Sequence, residues 1–286
     1  MKEIAPNVYV STEYPYVNVG CVVGSEGVVA LDAPTLPEDA VAWRERIGAV
    51  TGKPIVYTAL TDVHPHRLLC AGLLEAPLVA SRAAYQLVVD YTQGYWRNVI
   101  RRLSKEHPEQ ESTLTDMEPT LPEILFNQAL TLHKGGAQVT IERVDGAAPG
   151  SAWVQLPDRN VVFVGDTLVV GRPPIMEATP DTRAWLHTLT ELRRPRYSGA
   201  TLVPGRGPLS DQAETEALSE YIRVARRRMR SLHRQEDPRE EPADFTAELL
   251  SLFALSEEER QRFRRRVRNG LKQVHAELSA EAHEGE

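Results

Sequence analysis

The stretch Asp62-Val63-His64-Pro65-His66-Arg67 places four polar or charged side chains directly after a predicted strand. The strand is an apolar run at residues 55–60, of the kind that is typical of a buried strand. Carboxylate and imidazole groups bind metal ions, whereas a guanidinium has no lone pair to donate. The stretch therefore combines residue types that suit a metal site with one, arginine, that does not.

Seven further segments carry a recognisable pattern in a fixed order along the chain. Two are short opening strands, one is a strand that ends in an acidic residue, and one leads into the strand at 55–60. The last three contain glycine together with alanine, aspartate or arginine. The segments are residues 7–10, 17–20, 27–32, 51–55, 145–151, 163–166 and 203–208.

Together these segments resemble the metallo-β-lactamase superfamily, whose motif after the corresponding strand reads T-H-x-H-x-D-H. Aligned on Thr61, its four ligand positions are Asp62, His64, His66 and Arg67, and only His64 keeps the family's residue. The resemblance covers roughly the first 210 residues.

The later segments complete the comparison with the family's ligand set. Residues 145–151 align with P-G-H-T-P-G-S, so Ala147 stands where the third histidine belongs. Asp166 keeps the bridging aspartate, and Arg206 replaces the last histidine. The resemblance therefore implies that both metal positions have lost ligands.

In the intact family site two metals, usually zinc, lie about 3.5–4 Å apart and share a hydroxide. The first metal would be held at the positions of Asp62, His64 and Ala147. The second would be held at the positions of His66, Arg67 and Arg206, with Asp166 between the two metals.

The two arginines are the strongest physical clue. A guanidinium stays charged, and at 4 Å and an effective dielectric constant near 20 unit charges interact by about 4 kcal/mol. Arg67 and Arg206 should both approach Asp166, because all three positions converge on one ion in the family. We predict that the two positive charges replace the missing metal and keep the buried carboxylate paired.

The first metal position leaves two alternatives. Asp62, His64 and Asp166, supported by His66, would suit one zinc, iron or manganese ion. Alternatively, the two histidines are hydrogen-bonded remnants at a loop and no metal is tightly bound. We favour the absence of a tightly bound metal and keep the one-metal site as the alternative.

Composition limits the class of protein. The chain has 286 residues, of which 42% are hydrophobic and 26% charged, which is ordinary for a globular protein. Its net charge of −7 argues against a nucleic-acid binder. No apolar run is long enough to span a membrane, and two cysteines without metal spacing predict a reduced, cytoplasmic protein.

The C-terminal part has a different character. Residues 211–234 predict a helix with several arginines (223, 226, 227, 230 and 234), read as a solvated face with local ion pairs. Residues 235–242 predict a linker. A later helix carries an apolar stripe, Phe263, Val267, Leu271, Val274 and Leu278, which suits one partner helix, within the chain or across a homodimer.

These observations predict an α/β fold, the αββα sandwich that the resemblance implies. Residues 1–210 form the metallo-β-lactamase-like domain and residues 211–286 a helical extension. The cleft between the two halves should bear Asp62, His64, His66, Arg67, Ala147, Asp166 and Arg206. Two functions remain: a metal-independent protein that binds a small molecule or a partner in the old cleft, or a hydrolase of ester, thioester or lactone bonds with one metal.

Overall fold

The structure, a computed structural model, describes residues 1–233 and 245–284. The first group of strands comprises β1 (Lys2–Ala5), β2 (Val8–Ser11), β3 (Val19–Gly24), β4 (Gly27–Leu31), β5 (Ile55–Ala59), β6 (Leu78–Ser81) and β7 (Ile124–Phe126). The second comprises β8 (Ala129–Lys134), β9 (Ala137–Arg143), β10 (Ala152–Leu156), β11 (Val161–Val169) and β12 (Thr201–Arg206). Each group forms one sheet.

The helices lie between and after these strands. They are α1 (Pro37–Thr51), α2 (Pro65–Leu68), α3 (Arg82–Val89), α4 (Gln93–Glu106), α5 (Glu111–Thr115), α6 (Thr182–Glu191), α7 (Glu214–His233), α8 (Thr246–Ser251) and α9 (Glu257–Glu284). No helix in the described residues is long and apolar enough to cross a membrane.

Both sheets combine antiparallel and parallel pairs. In the first sheet β1 to β4 are antiparallel neighbours and β4 to β7 are parallel neighbours. In the second sheet β8 to β11 are antiparallel and β12 runs parallel to β11. Adjacent parallel strands end at the same edge, so the residues after β4 and β5 meet, as do those near the ends of β11 and β12.

The apolar residues form three cores that define four layers. One core joins buried side chains of both sheets, such as Leu31 and Phe163. A second packs α1, α3 and α4 on the first sheet, and a third packs α6 to α9 on the second sheet. The predicted αββα sandwich is confirmed.

Local sequence signals explain where several helices begin and end. α1 begins at Pro37 and ends before Gly52, which has a φ of 63°. Asp181 accepts hydrogen bonds from the backbone N–H groups of Arg183 and Ala184 at the start of α6. Ser256 and Glu259 form a capping box before α9.

Residues 81–130 combine helices with strands. The region is helical only as far as α5, and its last part forms β7 and the beginning of β8. β7 pairs with β6 at the edge of the first sheet. A three-residue strand has too short a pattern to be recognised by its periodicity.

The apolar stripe of α9 packs within the chain. All five of its residues are buried in the core that also contains residues of α6, α7 and α8. The stripe is therefore not free to pair two copies of the chain.

The arginine-rich helix α7 also makes contacts within the chain. Arg226 is buried and paired with Glu277 and Glu281 of α9, and Arg223 is paired with Glu216. The predicted linker at 235–242 and Arg234 lie outside the described residues.

Candidate functional site

Two parallel strands bring the first acidic groups together. Asp32 follows the last residue of β4, and Thr61 and Asp62 follow β5, which runs beside β4. The carboxylate of Asp32 accepts hydrogen bonds from the backbone N–H of Thr61 (2.8 Å) and from its hydroxyl (2.7 Å). Asp32 itself adopts a left-handed conformation with a φ of 57°.

Arg67, on the short helix α2, is fully buried and contacts three carboxylates. Its Nε lies 3.0 Å from Asp32 Oδ2, its Nη1 3.1 Å from Asp62 Oδ2, and its Nη2 2.7 Å from Asp166 Oδ1. The three aspartates come from three different strands or strand ends. One guanidinium therefore ties the end of β4, the end of β5 and β11 together.

Arg206, the last residue of β12, contacts Asp166 as well. Its Nε lies 3.2 Å from each carboxylate oxygen of Asp166, and its Nη2 lies 3.0 Å from Oδ2. Both arginines predicted to converge on Asp166 thus lie in contact with it. We refer to Asp32, Asp62, Arg67, Asp166 and Arg206 as the arginine–aspartate cluster.

Gly205 makes this close approach possible. A Cβ atom at this position would lie 2.1 Å from Asp166 Oδ1 and 2.4 Å from Arg67 Nη2, which is too close for any side chain. The glycine directly before Arg206 therefore has a structural reason here that involves no metal.

The cluster holds three carboxylates and two guanidinium groups, and the pKa values of its aspartates reflect this imbalance. Burial would raise the pKa of Asp166, but Arg206 and Arg67 outweigh burial and hold it well below its ordinary value. For Asp62, burial dominates over Arg67, and repulsion from Asp166 and Asp32 adds to it, which raises the pKa to about 6. Burial also raises the pKa of Asp32.

His64 and His66 lie next to the cluster with defined tautomers. His64 Nδ1 accepts a hydrogen bond from the backbone N–H of His66 at 3.2 Å. Arg206 Nη1 lies 3.3 Å from His66 Nδ1, and because a guanidinium only donates, this nitrogen is also an acceptor. Each neutral ring therefore carries its proton on Nε2.

Both histidines are held in the neutral form. Burial lowers the pKa of His64 and of His66 well below the ordinary value. Repulsion from Arg206 lowers both pKa values further. At neutral pH the two rings therefore offer N–H donors without a positive charge.

These residues do not fit a divalent metal. Both oxygens of Asp166 accept hydrogen bonds from arginine, and Arg67 Nη1 contacts both oxygens of Asp62. The guanidinium of Arg67 thus lies between two carboxylates of the alternative set of Asp62, His64 and Asp166 with His66. Within the described residues no group of three His, Cys, Asp or Glu side chains is arranged to hold a metal ion.

Ala147 supplies no donor to the site. It is buried in the core of the second sheet, and its carbonyl accepts a hydrogen bond of 2.8 Å from Thr179 Oγ1. The position of the third histidine is therefore part of the packing under α6.

A cavity of about 530 Å³ lies over the cluster. Of the residues predicted for the cleft, His64 and His66 line it, whereas the charged residues of the cluster are buried beneath them. Its other walls are formed mainly by α4 and α9, with Tyr16 and residues before α6. The cleft prediction is therefore corrected: the cluster forms a buried layer under the cavity.

Several residues of the site were not identified from the sequence. The sequence identifies Asp32 only as the acidic end of a strand, although a parallel neighbour strand followed by Asp62 is a signal that the two carboxylates meet. The cavity is also lined by Arg102 of α4 and by Arg262, Arg265 and Arg266 of α9. Nothing in the local pattern of α9 showed that its arginines face the same cavity as the histidines.

Comparison with known proteins gives the family and the fold. The family model described as the metallo-beta-lactamase superfamily matches residues 15–206. No curated protein matches the sequence.

Three solved structures illustrate the similarity of fold. A metallo-beta-lactamase family protein from Thermus thermophilus is 17% identical with a TM-score of 0.70, covering 98% of this chain and 95% of its own. A metallo-beta-lactamase from Pontibacter korlensis is 19% identical with a TM-score of 0.60, covering 77% of this chain and 97% of its own. A sec-alkylsulfatase from a Pseudomonas species is 14% identical with a TM-score of 0.70, covering 96% of this chain and 49% of its own.

Proposed function

Because this chain belongs to the metallo-β-lactamase superfamily, we propose that it is a member in which arginines have replaced the metals and that it binds a small molecule without a metal. The observation that carries the proposal is Arg67, whose buried guanidinium contacts Asp32, Asp62 and Asp166 at 2.7–3.1 Å.

The energetics of the cluster support this proposal. At 4 Å and an effective dielectric constant near 20, a guanidinium and a divalent cation repel each other by about 8 kcal/mol, twice the value for unit charges. A metal would also compete with Arg67 and Arg206 for the oxygens of Asp166. The arginines supply the positive charge that the carboxylates need, and they cannot activate water as a metal does.

The cavity gives the scaffold a place for a ligand. Its volume of about 530 Å³ is within the range of about 300–1,000 Å³ that is common for small-molecule sites. Its walls combine the two neutral histidines with arginine, tyrosine and phenylalanine side chains. The contact of Arg206 with His66, and of the His66 backbone with His64, would hold the two rings in place for that ligand.

The second candidate is a hydrolase with one metal, and the presence of His64 and His66 at the cavity favours it. To use Asp62, His64 and Asp166 as ligands, this enzyme would have to displace Arg67 from two carboxylates. A zinc, iron or manganese ion would be its cofactor.

Hydrolysis assays distinguish the two functions. We expect turnover of ester, thioester, lactone and β-lactam substrates to stay at background level, with no increase on addition of zinc, iron(II) or manganese. Turnover that depends on added metal and is lost in His64→Ala would establish the hydrolase and overturn the proposal. His133→Ala, on β8, is the matched control, because His133 does not line the cavity.

Location and assembly remain proposals. Cys21 and Cys70 are buried and form no disulfide, which is compatible with the reduced cytoplasm that we propose for this protein. The apolar stripe of α9 is covered within the chain and therefore does not support a homodimer through this helix.

A further inference from the structure

The cavity over the cluster has a charge opposite to that of the whole protein. Its walls contain four arginines, Arg102, Arg262, Arg265 and Arg266, and two glutamates, Glu106 and Glu177. The whole chain carries a net charge of −7. A concave site with this local excess of positive charge attracts anions.

The two glutamates of the cavity already have other donors. Tyr16 Oη donates to Glu106 Oε2 at 2.6 Å, and Asn269 Nδ2 donates to Glu177 Oε1 at 3.0 Å. Neither carboxylate forms an ion pair with an arginine in the described part of the chain. The two glutamates of the cavity are therefore not ion-pair partners of its arginines.

Arg266 shows the consequence most clearly. It is half-buried, donates through Nη1 to the carbonyl oxygen of Pro173 at 3.2 Å, and lies over the ring of Phe263 at 4.8 Å. Among the described residues it has no carboxylate partner, although a partly buried charge needs one. Burial, followed by repulsion from Arg206, lowers its pKa to about 10, although attraction to Asp166 and Glu177 opposes this shift.

Other groups of the cavity are donors too. Arg102 and Arg265 form no ion pair with a carboxylate among the described residues, and Arg262 has only a distant partner, Glu258 at 3.6 Å. His64 and His66 accept at Nδ1 and therefore keep N–H groups at Nε2. Guanidinium and imidazole N–H groups together recognise the oxygens of an anion.

We infer that the cavity binds an organic oxyanion, that is, a small molecule with a carboxylate, sulfate or phosphate group, held by Arg266 and Arg102 with His64 and His66. The inference rests on the proposed ligand-binding function and gives its ligand a chemical class. The volume of about 530 Å³ exceeds that of a bare inorganic anion, and Pro15, Ile175 and Phe263 offer apolar contacts to an organic body. The extension would then have a role in function, because α9 supplies three of the four arginines.

Isothermal titration calorimetry at low salt tests this inference with four aromatic probes: phenyl phosphate, phenyl sulfate, benzoate and the neutral benzyl alcohol. We expect at least one anionic probe to bind in the absence of metal, with a Kd that rises with salt concentration, and benzyl alcohol to bind at least tenfold more weakly. The order among the three anions identifies the oxyanion.

Variants locate the binding site. Arg266→Met should weaken binding of the best anionic probe by about tenfold or more, that is by about 1.4 kcal/mol or more, because one charge-assisted hydrogen bond is lost. Arg264→Met, an exposed neighbour on α9 that does not line the cavity, is the matched control and should change the Kd less than about twofold. Arg102→Met on α4 provides a second variant in case the first one unfolds.

The outcomes separate this inference from the proposed function. Binding of benzyl alcohol as tight as that of the anions would overturn the inference and leave the ligand-binding function standing. Equal weakening by Arg264→Met and Arg266→Met would also overturn it, because bulk charge would then explain the binding. Anion binding that requires added zinc would keep an oxyanion site and overturn the metal-independent function, and no binding of any probe would overturn both.

Discussion

Arg67→Met is expected to lower the free energy of unfolding by about 3–5 kcal/mol at neutral pH, the usual effect of removing one partner of a buried ion pair. Methionine has a similar length but no charge, so Asp32, Asp62 and Asp166 would be left close together with only Arg206 to offset them. The free energy of unfolding of Arg67→Lys should lie between those of the wild type and Arg67→Met. Lysine keeps the positive charge, but a single ammonium cannot contact three carboxylates in the geometry of a guanidinium.

The effect of Arg67→Met should depend on pH. Without Arg67 the pKa values of the three aspartates rise in the folded state, so protonation stabilises the variant. That stabilisation is present at low pH and is lost as the pH rises through the raised values. The difference in stability from the wild type should therefore be smaller at pH 5 than at pH 7.

Urea unfolding followed by circular dichroism at both pH values measures these differences. Arg101→Met, which removes an exposed arginine of α4, is the matched control and should change stability by less than about 0.5 kcal/mol. A loss of under about 1 kcal/mol in Arg67→Met would mean that the guanidinium is not the group that holds the cluster together.

Asp166→Asn is expected to cost about 3 kcal/mol or more at neutral pH, because it leaves the buried Arg206 without a carboxylate. Arg67 keeps its ion pairs with Asp32 and Asp62. The loss of stability should therefore come mainly from the unpaired charge of Arg206. The double variant Asp166→Asn with Arg206→Met removes the unpaired cation as well. It should recover about 1–3 kcal/mol relative to the sum of the two single losses.

Low pH should reduce the contribution of Asp166 to the stability of the fold. Its pKa in the folded protein lies well below the ordinary value, so its stabilising contribution is present above about pH 4 and is lost as the pH falls further. The wild type and Asp166→Asn should therefore become more alike in stability below pH 4. Urea unfolding of the double-variant cycle at pH 7 and pH 3.5 tests both points, with Asp158→Asn in the exposed turn before β11 as control. Additive losses in the cycle would contradict the pairing of Asp166 with Arg206.

The sequence was sufficient to predict the fold and the convergence on Asp166, because strand ends in a known order determine which side chains meet. β4 and β5, and β11 and β12, are parallel neighbours, so residues near their ends lie at one edge of each sheet. An aligned motif therefore carries three-dimensional information even where its residues have changed.

The separation of the cluster from the cavity could not be predicted in the same way. Arg67 has a long side chain that extends back among the aspartates, and only the structure shows that it is fully buried, with the histidines above it. The role of α9 depends on how the extension docks on the second sheet. Its apolar stripe predicts that it packs, but not that Arg262, Arg265 and Arg266 reach the cavity.

The central claim is that Arg67 and Arg206 occupy the place of the metals, and metal content tests it most directly. Untagged protein should be purified without added metal or chelator, then incubated with excess zinc, iron(II) or manganese, exchanged into metal-free buffer and measured by plasma mass spectrometry. We predict far less than one ion per chain in every sample and an unchanged thermal midpoint. One retained ion per chain that is lost in Asp62→Ala and His64→Ala would contradict the claim.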